Sequence, residues 1–477
     1  MAATSSVDRP NLTKRKRSPS PSQRSISPGD RISALPDDVI PIIFQSLPFE
    51  DVVKTSVLSK SWRSAWTTTT HLAFDEQFRD FFDFMSFVNS IRKRFTSPTV
   101  KRLHVTNLSY NEGVRSVLDS CLRFVKERHV EEICLSFCPF FLYWLPTSLF
   151  CSSSLVRLEV TSCRFSLDGT TVSWPRLKVL SVKNADLSDD VLKEILRGSP
   201  LLESLKLCGC SWLKNITIDA TGLKELVLVG INYLSAQKIW APHLLSLRVS
   251  GNLWPNSKFR LENVSSLVEA QLDLVFEADD TRILRDFVEE LFEKLLGVRT
   301  ITINGWCLQA LYVLEMEEAP SLLSKCQNLI LHAGVSQWDL PGIAYMLRSS
   351  QCLEKLDILL TGDGHLKLEL DEQSEGYFDF DEEDFLWTRK GCFLKHLKRV
   401  EIAGLEAHSF GLKSLLALIG FILGNALALE KMTIKVDQRR RDRQECLQAD
   451  VPSELLGVSQ NILNYRRASR NAEVIII

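Results

Sequence analysis

The sequence predicts an α/β protein in which a small helical module precedes a long, irregular solenoid of repeated strands. Three observations lead to this fold class. The first 29 residues contain almost no large apolar groups, a compact segment after them combines Leu-Pro with two tryptophans, and an apolar triad spaced L-x-x-L-x-L returns thirteen times after residue 100. One such repeat cannot bury its own apolar face, so we expect neighbouring repeats to stack into a continuous core.

Residues 1–29 form a tail that is rich in Ser, Pro and Arg. We expect this tail to be disordered, because it cannot bury enough apolar surface to offset the entropy of ordering it. It contains a compact basic cluster of the nuclear-localisation type, made of Lys14, Arg15, Lys16 and Arg17. We therefore expect the protein in the nucleus, in the cytoplasm, or in both.

Residues 30–70 show three short helical patterns. The first begins near Pro36, a residue that suits a first helical turn, and Pro48 ends it. The third follows Ser59, which can cap a helix that carries Trp62 and Trp66. The segment is too short to bury all its large apolar groups, so these groups need a partner surface.

The same segment resembles an F-box, in the plant form that reads approximately DRIS-x-LPD at its start and SVLS-x-x-W near its end. Pro41 departs from that pattern, in which a helix-friendly apolar residue is usual. The resemblance implies binding to the Skp-type adaptor of a cullin-based ubiquitin ligase. The residues that we expect to bind the adaptor are Leu35, Pro36, Ile40, Ile43, Leu47, Val52, Val57, Leu58, Ser59 and Trp62.

Residues 71–99 predict a helical linker that caps the solenoid. Phe78, Phe81, Phe82 and Met85 fall at i, i+3, i+4 and i+7, the spacing of one face of an amphipathic helix. The run FDEQFRDFFDFMSFV also resembles the linker of plant F-box/leucine-rich-repeat chains. An aromatic stripe with this spacing is typical of a packed core.

The repeat occupies residues 100–362 and continues beyond them, and its period indicates leucine-rich repeats. The last two apolar residues of each triad predict a short strand whose apolar side chains point inward. Clear copies begin at Val100, Val130, Leu155, Leu177, Leu202, Leu223, Leu244, Leu353, Leu397 and Leu429, and weaker copies at Leu267, Val298 and Cys326. Between strands, we expect helices at 188–196 and 281–296.

The last part of the chain combines an acidic loop with a further region. Residues 363–388 include a run of carboxylates that repel one another, which predicts a mobile loop whose spacing fits no EF-hand. Residues 389–477 resemble the FBD domain, which in plants often follows an F-box and leucine-rich repeats. The resemblance rests on the C-F-L-K-H-L-K-R-V-E opening, the L-E-K-M-T-I strand and the R-A-S ending.

Composition and motifs argue against catalysis. The net charge is −2 and no apolar stretch approaches a membrane span, so we expect no nucleic-acid or membrane partner. The 12 cysteines are scattered without paired zinc spacing, which favours reduced thiols in the cytosol or nucleus. No nucleophile elbow, P-loop or dinucleotide motif is present, so we expect no catalytic residues, no metal and no cofactor.

The resemblance predicts a substrate-recognition subunit of an SCF-type ubiquitin ligase. The F-box would bind the Skp-type adaptor and through it a cullin, while the solenoid would bind a target protein. Lys206 and Lys224, which flank buried leucines, are the candidate target-binding residues. Two alternatives remain: a non-degradative binding scaffold, and a small-molecule sensor, although a sensor needs a basic pocket and the strand-flanking charges are mixed.

Overall fold

A computed structural model gives the fold of the chain. It describes residues 35–36, 39–44, 46–47, 49–59, 62–74, 81–108, 112–138, 142–230, 234–276, 281–316, 323, 325–336, 339–361, 394–405, 412–436 and 451–477. The predicted tail, its basic cluster of Lys14, Arg15, Lys16 and Arg17, and the acidic loop at 363–388 lie outside these residues. The chain divides into two compact units, Met1–Thr69 and Thr70–Ile477.

Short helices make up the described part of the first unit. They are α1 (Ile40–Phe44), α2 (Phe49–Lys54) and α3 (Trp62–Ala65), with 3₁₀ turns at Thr55–Val57 and Trp66–Thr68. Phe44 packs edge-on against Trp62, with 5.7 Å between ring centroids. Edge-to-face pairs of this kind stabilise helix packing beyond the area that they bury. The Ser59 hydroxyl accepts a hydrogen bond from the Trp62 backbone N–H at 3.4 Å, so the predicted cap of the third helix is confirmed.

The second unit is built on one long parallel sheet. The first strands of this unit are β1 (His71–Phe74), β2 (Arg102–Leu108), β3 (Glu132–Phe137), β4 (Tyr143–Trp144), β5 (Arg157–Thr161), β6 (Cys163–Arg164), β7 (Val179–Lys183), β8 (Ser204–Cys208), β9 (Asn215–Asp219) and β10 (Glu225–Val229). The short strands β4 and β6 pair with each other in a separate two-stranded sheet. The remaining strands are β11 (Leu234–Trp240), β12 (Ser246–Glu262), β13 (Glu269–Phe276), β14 (Thr300–Asn304), β15 (Asn328–Ala333), β16 (Lys355–Leu360), β17 (Arg399–Leu405), β18 (Lys431–Val436) and β19 (Glu473–Ile476).

Helices connect several of these strands. They are α4 (Phe81–Arg94), α5 (Glu112–Lys126), α6 (Asp189–Gly198), α7 (Thr281–Glu293), α8 (Gly305–Met316), α9 (Leu340–Ser349), α10 (Leu412–Asn425) and α11 (Val451–Asn464). The two helices predicted at 188–196 and 281–296 are therefore confirmed as α6 and α7. Ser188 caps α6, since its hydroxyl accepts a hydrogen bond from the Val191 N–H. None of the helices among the described residues is long and apolar enough to span a bilayer.

Every predicted triad forms a strand of the same sheet. Successive strands pair in the parallel sense, and each apolar position lies beside the equivalent position of the next repeat, as Leu205 does beside Leu226. Leu205 and Leu226 have no exposed surface. The leucine-rich solenoid is thus confirmed, and stacked apolar rows supply its core.

After several strands, a residue in the left-handed backbone conformation turns the chain away from the sheet. Ser162, Asn184, Gly209 and Gly230 follow β5, β7, β8 and β10 directly, with φ between 47° and 66°. This conformation favours Gly and Asn. Beyond the turn, β9, β11 and the second half of β12 form another parallel ladder, in which Lys238 pairs with both Thr217 and Arg260.

Two boundaries differ from the sequence prediction. The sheet begins at His71 rather than near residue 100, because β1 pairs with β2 and buries Leu72 and Phe74. The helical linker expected over 71–99 therefore shrinks to α4, and Phe78 lies outside the described residues. At the other end, β17, β18 and β19 continue the same sheet, so the region expected as a separate domain at 389–477 extends the solenoid.

Candidate protein-interaction surfaces

The ten residues expected to contact an adaptor differ greatly in exposure. Ile40, Val52 and Trp62 are buried, so these side chains belong to the packed interior. Val57 and Leu58 are 86% and 48% exposed. Of the others, Pro36 is exposed, and the half-buried residues are Leu35, Ile43, Leu47 and Ser59. Contact of all ten residues with an adaptor stays a prediction. The exposed and half-buried residues are better placed to make that contact than the buried ones.

One exposed apolar residue of the first unit escaped the sequence analysis. Ile42, on α1, is 62% exposed, although a large apolar side chain on a short helix is normally buried. It falls outside the i, i+3, i+4, i+7 pattern that runs from Ile40 through Ile43 and Phe44. A search for apolar residues outside that face would have found it.

The sheet of the second unit presents a face of side chains that alternate with the buried leucines. In β8, for example, Ser204, Lys206 and Cys208 alternate with Leu205 and Leu207. We call the surface formed by these alternating positions, together with the residue that precedes each strand, the solvent face. Because strand register is kept from repeat to repeat, side chains of neighbouring strands stand side by side on it.

Both candidate target-binding residues lie on the solvent face, and both are ion-paired. The Lys206 ammonium lies 2.7 Å from a Glu225 carboxylate oxygen, and the Lys224 ammonium lies 2.8 Å from Glu203. Lys178 reaches the same Glu203 carboxylate at 2.9 Å. Sequence reasoning found the two lysines but missed their partners, because the contacts join residues of different repeats.

The shared carboxylate has a displaced pKa. Hydrogen bonds from Lys224 and Lys178, together with their positive charges, lower the pKa of Glu203 to about 2. For Glu225, burial raises the pKa, but hydrogen bonds from Lys206 and Ser204 outweigh it and the net shift is downward. Both carboxylates are therefore ionised at neutral pH and hold the lysines in place.

Two cations of neighbouring strands have no carboxylate partner among the described residues. Lys183 lies two residues after Ser181 in β7, on the same side of the strand. Arg248 lies in β12, between Val227 of β10 and Gln271 of β13. Both are exposed, and neither forms an ion pair with any residue in the described part of the chain. Their charged ends are available to a partner.

Elsewhere on the solvent face, the pairs contain one cation and one carboxylate. Arg102 pairs with Glu132 at 2.8 Å and Arg157 with Glu159 at 2.8 Å. Near the C-terminal end, the pairs are Lys355 with Asp357, Lys398 with Glu354 and Lys435 with Glu401. Each exposed pair of this type contributes little stability. Because the two charges of a pair cancel, the pair itself offers no net charge to a ligand.

Three cysteines of the second unit carry thiols with displaced pKa values. Burial raises the pKa of the Cys121, Cys210 and Cys307 thiols to about 12 each, so the nucleophilic thiolate is scarce at neutral pH. Within the described ranges, no group of three or more His, Cys, Asp or Glu side chains could hold a metal ion.

Comparisons with known proteins agree with this architecture. A family described as "At1g61320/AtMIF1, LRR domain" matches residues 92–476, and the F-box domain family matches residues 32–70. The first match includes the region that resembles the FBD domain, and that resemblance stays a prediction.

Three similar proteins come from Arabidopsis thaliana. F-box/LRR-repeat protein At5g02910 is 33% identical over 347 residues, covering 70% of this chain and 73% of its own length. F-box/LRR-repeat protein At3g03360 is 31% identical over 348 residues, with coverage of 69% and 70%. Putative F-box/LRR-repeat protein At3g18150 is 28% identical over 427 residues, with coverage of 86% and 87%.

Proposed function

Because the chain belongs to the family of F-box/LRR-repeat proteins, we propose that it is the substrate-recognition subunit of an SCF-type cullin-RING E3 ubiquitin ligase. In this proposal, the F-box unit binds a Skp-type adaptor and through it a cullin. The solvent face of the second unit binds a target protein. The pairing of a docking module with a long repeat surface supports this division of roles.

The exposed apolar side chains of the first unit carry the proposal. Ile42, Val57 and Leu58 leave large parts of their surfaces in water, within a segment that matches the F-box family. Burying one such side chain against a partner is worth about 1.5–3 kcal/mol. Three of them can supply a substantial part of the free energy of a stable complex, even after the cost of association.

The chain itself contributes no chemistry in this proposal. Ubiquitin transfer takes place on the E2 enzyme, and the receptor raises the effective concentration of target lysines near the E2 thioester. We also propose nuclear import through Lys14, Arg15, Lys16 and Arg17. A fluorescent fusion with all four changed to Ala should lose nuclear enrichment, and an unchanged distribution would refute the import proposal.

The adaptor interaction is tested with the double variant Val57→Asp, Leu58→Asp in the full chain. Each new carboxylate would have to lose its hydration in the apolar interface, so pulldown of the adaptor should fall at least tenfold. The matched control is Leu427→Asp, which changes a leucine of similar exposure (55%) in the second unit.

Target recognition is tested in the same preparations by proximity labelling with the proteasome blocked. The F-box double variant should lose the ligase subunits and keep its other neighbours. Undiminished adaptor pulldown from a folded double variant would refute adaptor binding through Val57 and Leu58, and the absence of adaptor pulldown by the wild type would refute the proposed function.

A further inference from the structure

We propose that the target is recognised through an acidic segment that spans β7 to β12 of the solvent face, with one anionic group on Lys183 and a second on Arg248. This inference rests on the proposed function, because it names the class of target that the solvent face selects. The anionic groups are carboxylates or phosphates, which share the chemistry that ammonium and guanidinium groups bind.

The excess of cations over carboxylates on four adjacent strands of the sheet supports an acidic partner. We define the basic patch by the charged side chains on the solvent face of β7, β8, β10 and the part of β12 that pairs with β10 (Ser246 to Ser250), together with the residues that directly precede these strands. Its cations are Lys178, Lys183, Lys206, Lys224 and Arg248, and its carboxylates are Glu203 and Glu225. The patch therefore carries a surplus of three positive charges, although the whole chain has a net charge of −2.

The internal pairs fix which cations remain available. Glu203 is shared between Lys178 and Lys224, and Glu225 is bound by Lys206 and by the Ser204 hydroxyl at 2.7 Å. Breaking these pairs would cost the interactions that they already make. Lys183 and Arg248 form no ion pair with a described residue, so they give up no such pair when they bind an external anion.

The carboxylates near these two cations form no ion pair with them among the described residues. Glu159, diagonal to Lys183, is held by Arg157 at 2.8 Å. Asp273, diagonal to Arg248, accepts a hydrogen bond from the Asn304 amide at 2.8 Å. Glu269 on β13 is also diagonal to Arg248 and marks the edge of the patch on that side.

The spacing of the two cations defines the length of the acidic segment. Lys183 and Arg248 are three strands apart along the sheet, which corresponds to roughly 15 Å at the usual strand separation. An extended peptide covers that span with about four to five residues. Between the two cations, the uncharged side chains of Cys208, Val227 and Val229 line the face, together with Lys206, whose ammonium is paired with Glu225. The expected motif is therefore an acidic group, a few apolar residues, and a second acidic group.

Two other unpaired cations of the face have carboxylates close by. Arg399 is two residues from Glu401 in β17, on the same side of the strand, and Lys431 stands directly beside Glu473 of β19. They form no ion pair with a described residue, but the charges around them balance. They supply a matched control with the same number and similar type of cations.

The experiment selects binding peptides with the full chain in complex with its adaptor. The probes are two libraries of random 12-residue peptides, one unmodified and one with phosphoserine at random positions. We compare wild type with Lys183→Gln, Arg248→Gln, with the charge-preserving Lys183→Arg, Arg248→Lys, and with the control Arg399→Gln, Lys431→Gln. Melting temperatures and adaptor pulldown are measured on every preparation.

Wild type should enrich peptides with two acidic groups separated by a few apolar residues, and the library that yields them distinguishes carboxylate from phosphate. Enrichment should fall at least tenfold for Lys183→Gln, Arg248→Gln, and should persist for the charge-preserving and control variants. Enrichment without acidic groups, no enriched peptide on wild type, or equal enrichment on the Gln variant would overturn the inference. Adaptor pulldown reports on the proposed function separately, so loss of the motif with normal pulldown refutes only the acidic segment.

Discussion

At the scale of single residues, Gln237 is a buried polar side chain that lowers the stability of the fold. It lies in β11 between Ile216 and Phe259 of the neighbouring strands and is 1% exposed. Neither its amide nitrogen nor its amide oxygen has a hydrogen-bond partner among the residues that the structure describes. An unsatisfied buried polar group costs about 1–3 kcal/mol, so this side chain weakens the ladder in which it lies.

Replacing that amide with an apolar group of similar size should stabilise the protein. We expect Gln237→Met to raise the free energy of unfolding by about 1–3 kcal/mol, because it removes the buried amide and keeps the volume. Denaturant unfolding measures the change. Gln271→Met, on the solvent face, is the control and should stay within about 0.5 kcal/mol of wild type. A destabilised Gln237→Met would contradict the prediction.

Glu203 predicts a specific pH dependence of stability. Its pKa falls from 4.5 to about 2 in the folded protein, through hydrogen bonds from Lys224 and Lys178. A lowered folded pKa contributes stability that is complete above the unfolded pKa and is lost as the pH falls from about 4.5 to about 2.

The variant Glu203→Gln isolates this contribution. The difference in free energy of unfolding between wild type and Glu203→Gln should be largest above pH 4.5 and shrink as the pH approaches 2. Denaturant unfolding at several pH values measures it. Glu127→Gln, at an exposed carboxylate without an ion pair among the described residues, provides the comparison. A difference that does not change with pH would contradict the prediction.

At the scale of elements, α8 and α9 approach unusually closely. A Cβ atom added at Gly342 in α9 would lie 2.0 Å from the Leu308 carbonyl oxygen in α8. Backbone atoms cannot yield at that distance without moving a whole helix. The close approach buries almost the whole of α9, so the core of these repeats depends on a glycine.

Gly342→Ala should therefore destabilise the protein by about 1–3 kcal/mol, the usual cost of overpacking. The control is Gly424→Ala in α10, where an added Cβ meets nothing within 4 Å. There the better helix propensity of alanine should stabilise the protein by up to about 1 kcal/mol. Thermal unfolding shows whether each variant is more or less stable than wild type. A Gly342→Ala variant with unchanged stability would contradict the close approach of the two helices.

The sequence predicts elements well where each strand carries its own triad. The pattern places Leu205 and Leu207 correctly, because a strand with one buried face must alternate. It misses β1, which has only Leu72 and Phe74 and no first leucine. It also misses β9 and β11, because their pairing depends on neighbours across the turn rather than on a local triad. The partners of Lys206 and Lys224 are missed for the same reason.

At the scale of the whole molecule, the two units offer separate binding surfaces. The apolar surface includes Val57 and Leu58 of the first unit, and the charged surface is the solvent face of the second. The units form distinct compact bodies. Substitutions in different compact units that share no partners should act independently, which predicts variants that lose one interaction and keep the other.

Reversing Lys206 and Lys224 together to Glu is the test at this scale. Each new carboxylate would stand beside Glu225 or Glu203, so the loss of the exposed pairs and the new repulsion should lower the stability slightly. Capture of the target should fall much further, because the basic patch loses its positive surplus and a complementary partner surface is disrupted. Adaptor pulldown should equal that of wild type.

A charge exchange separates the two effects of that reversal. The variant Lys206→Glu, Glu225→Lys keeps the ion pair and the net charge of the patch, so its melting temperature and target capture should both stay near wild type. Proximity labelling compares this variant with the double reversal and with a chain that lacks the F-box. If the double reversal keeps every neighbour while the chain without the F-box loses neighbours besides the ligase subunits, the target binds the first unit, and the solvent face is not the receptor surface.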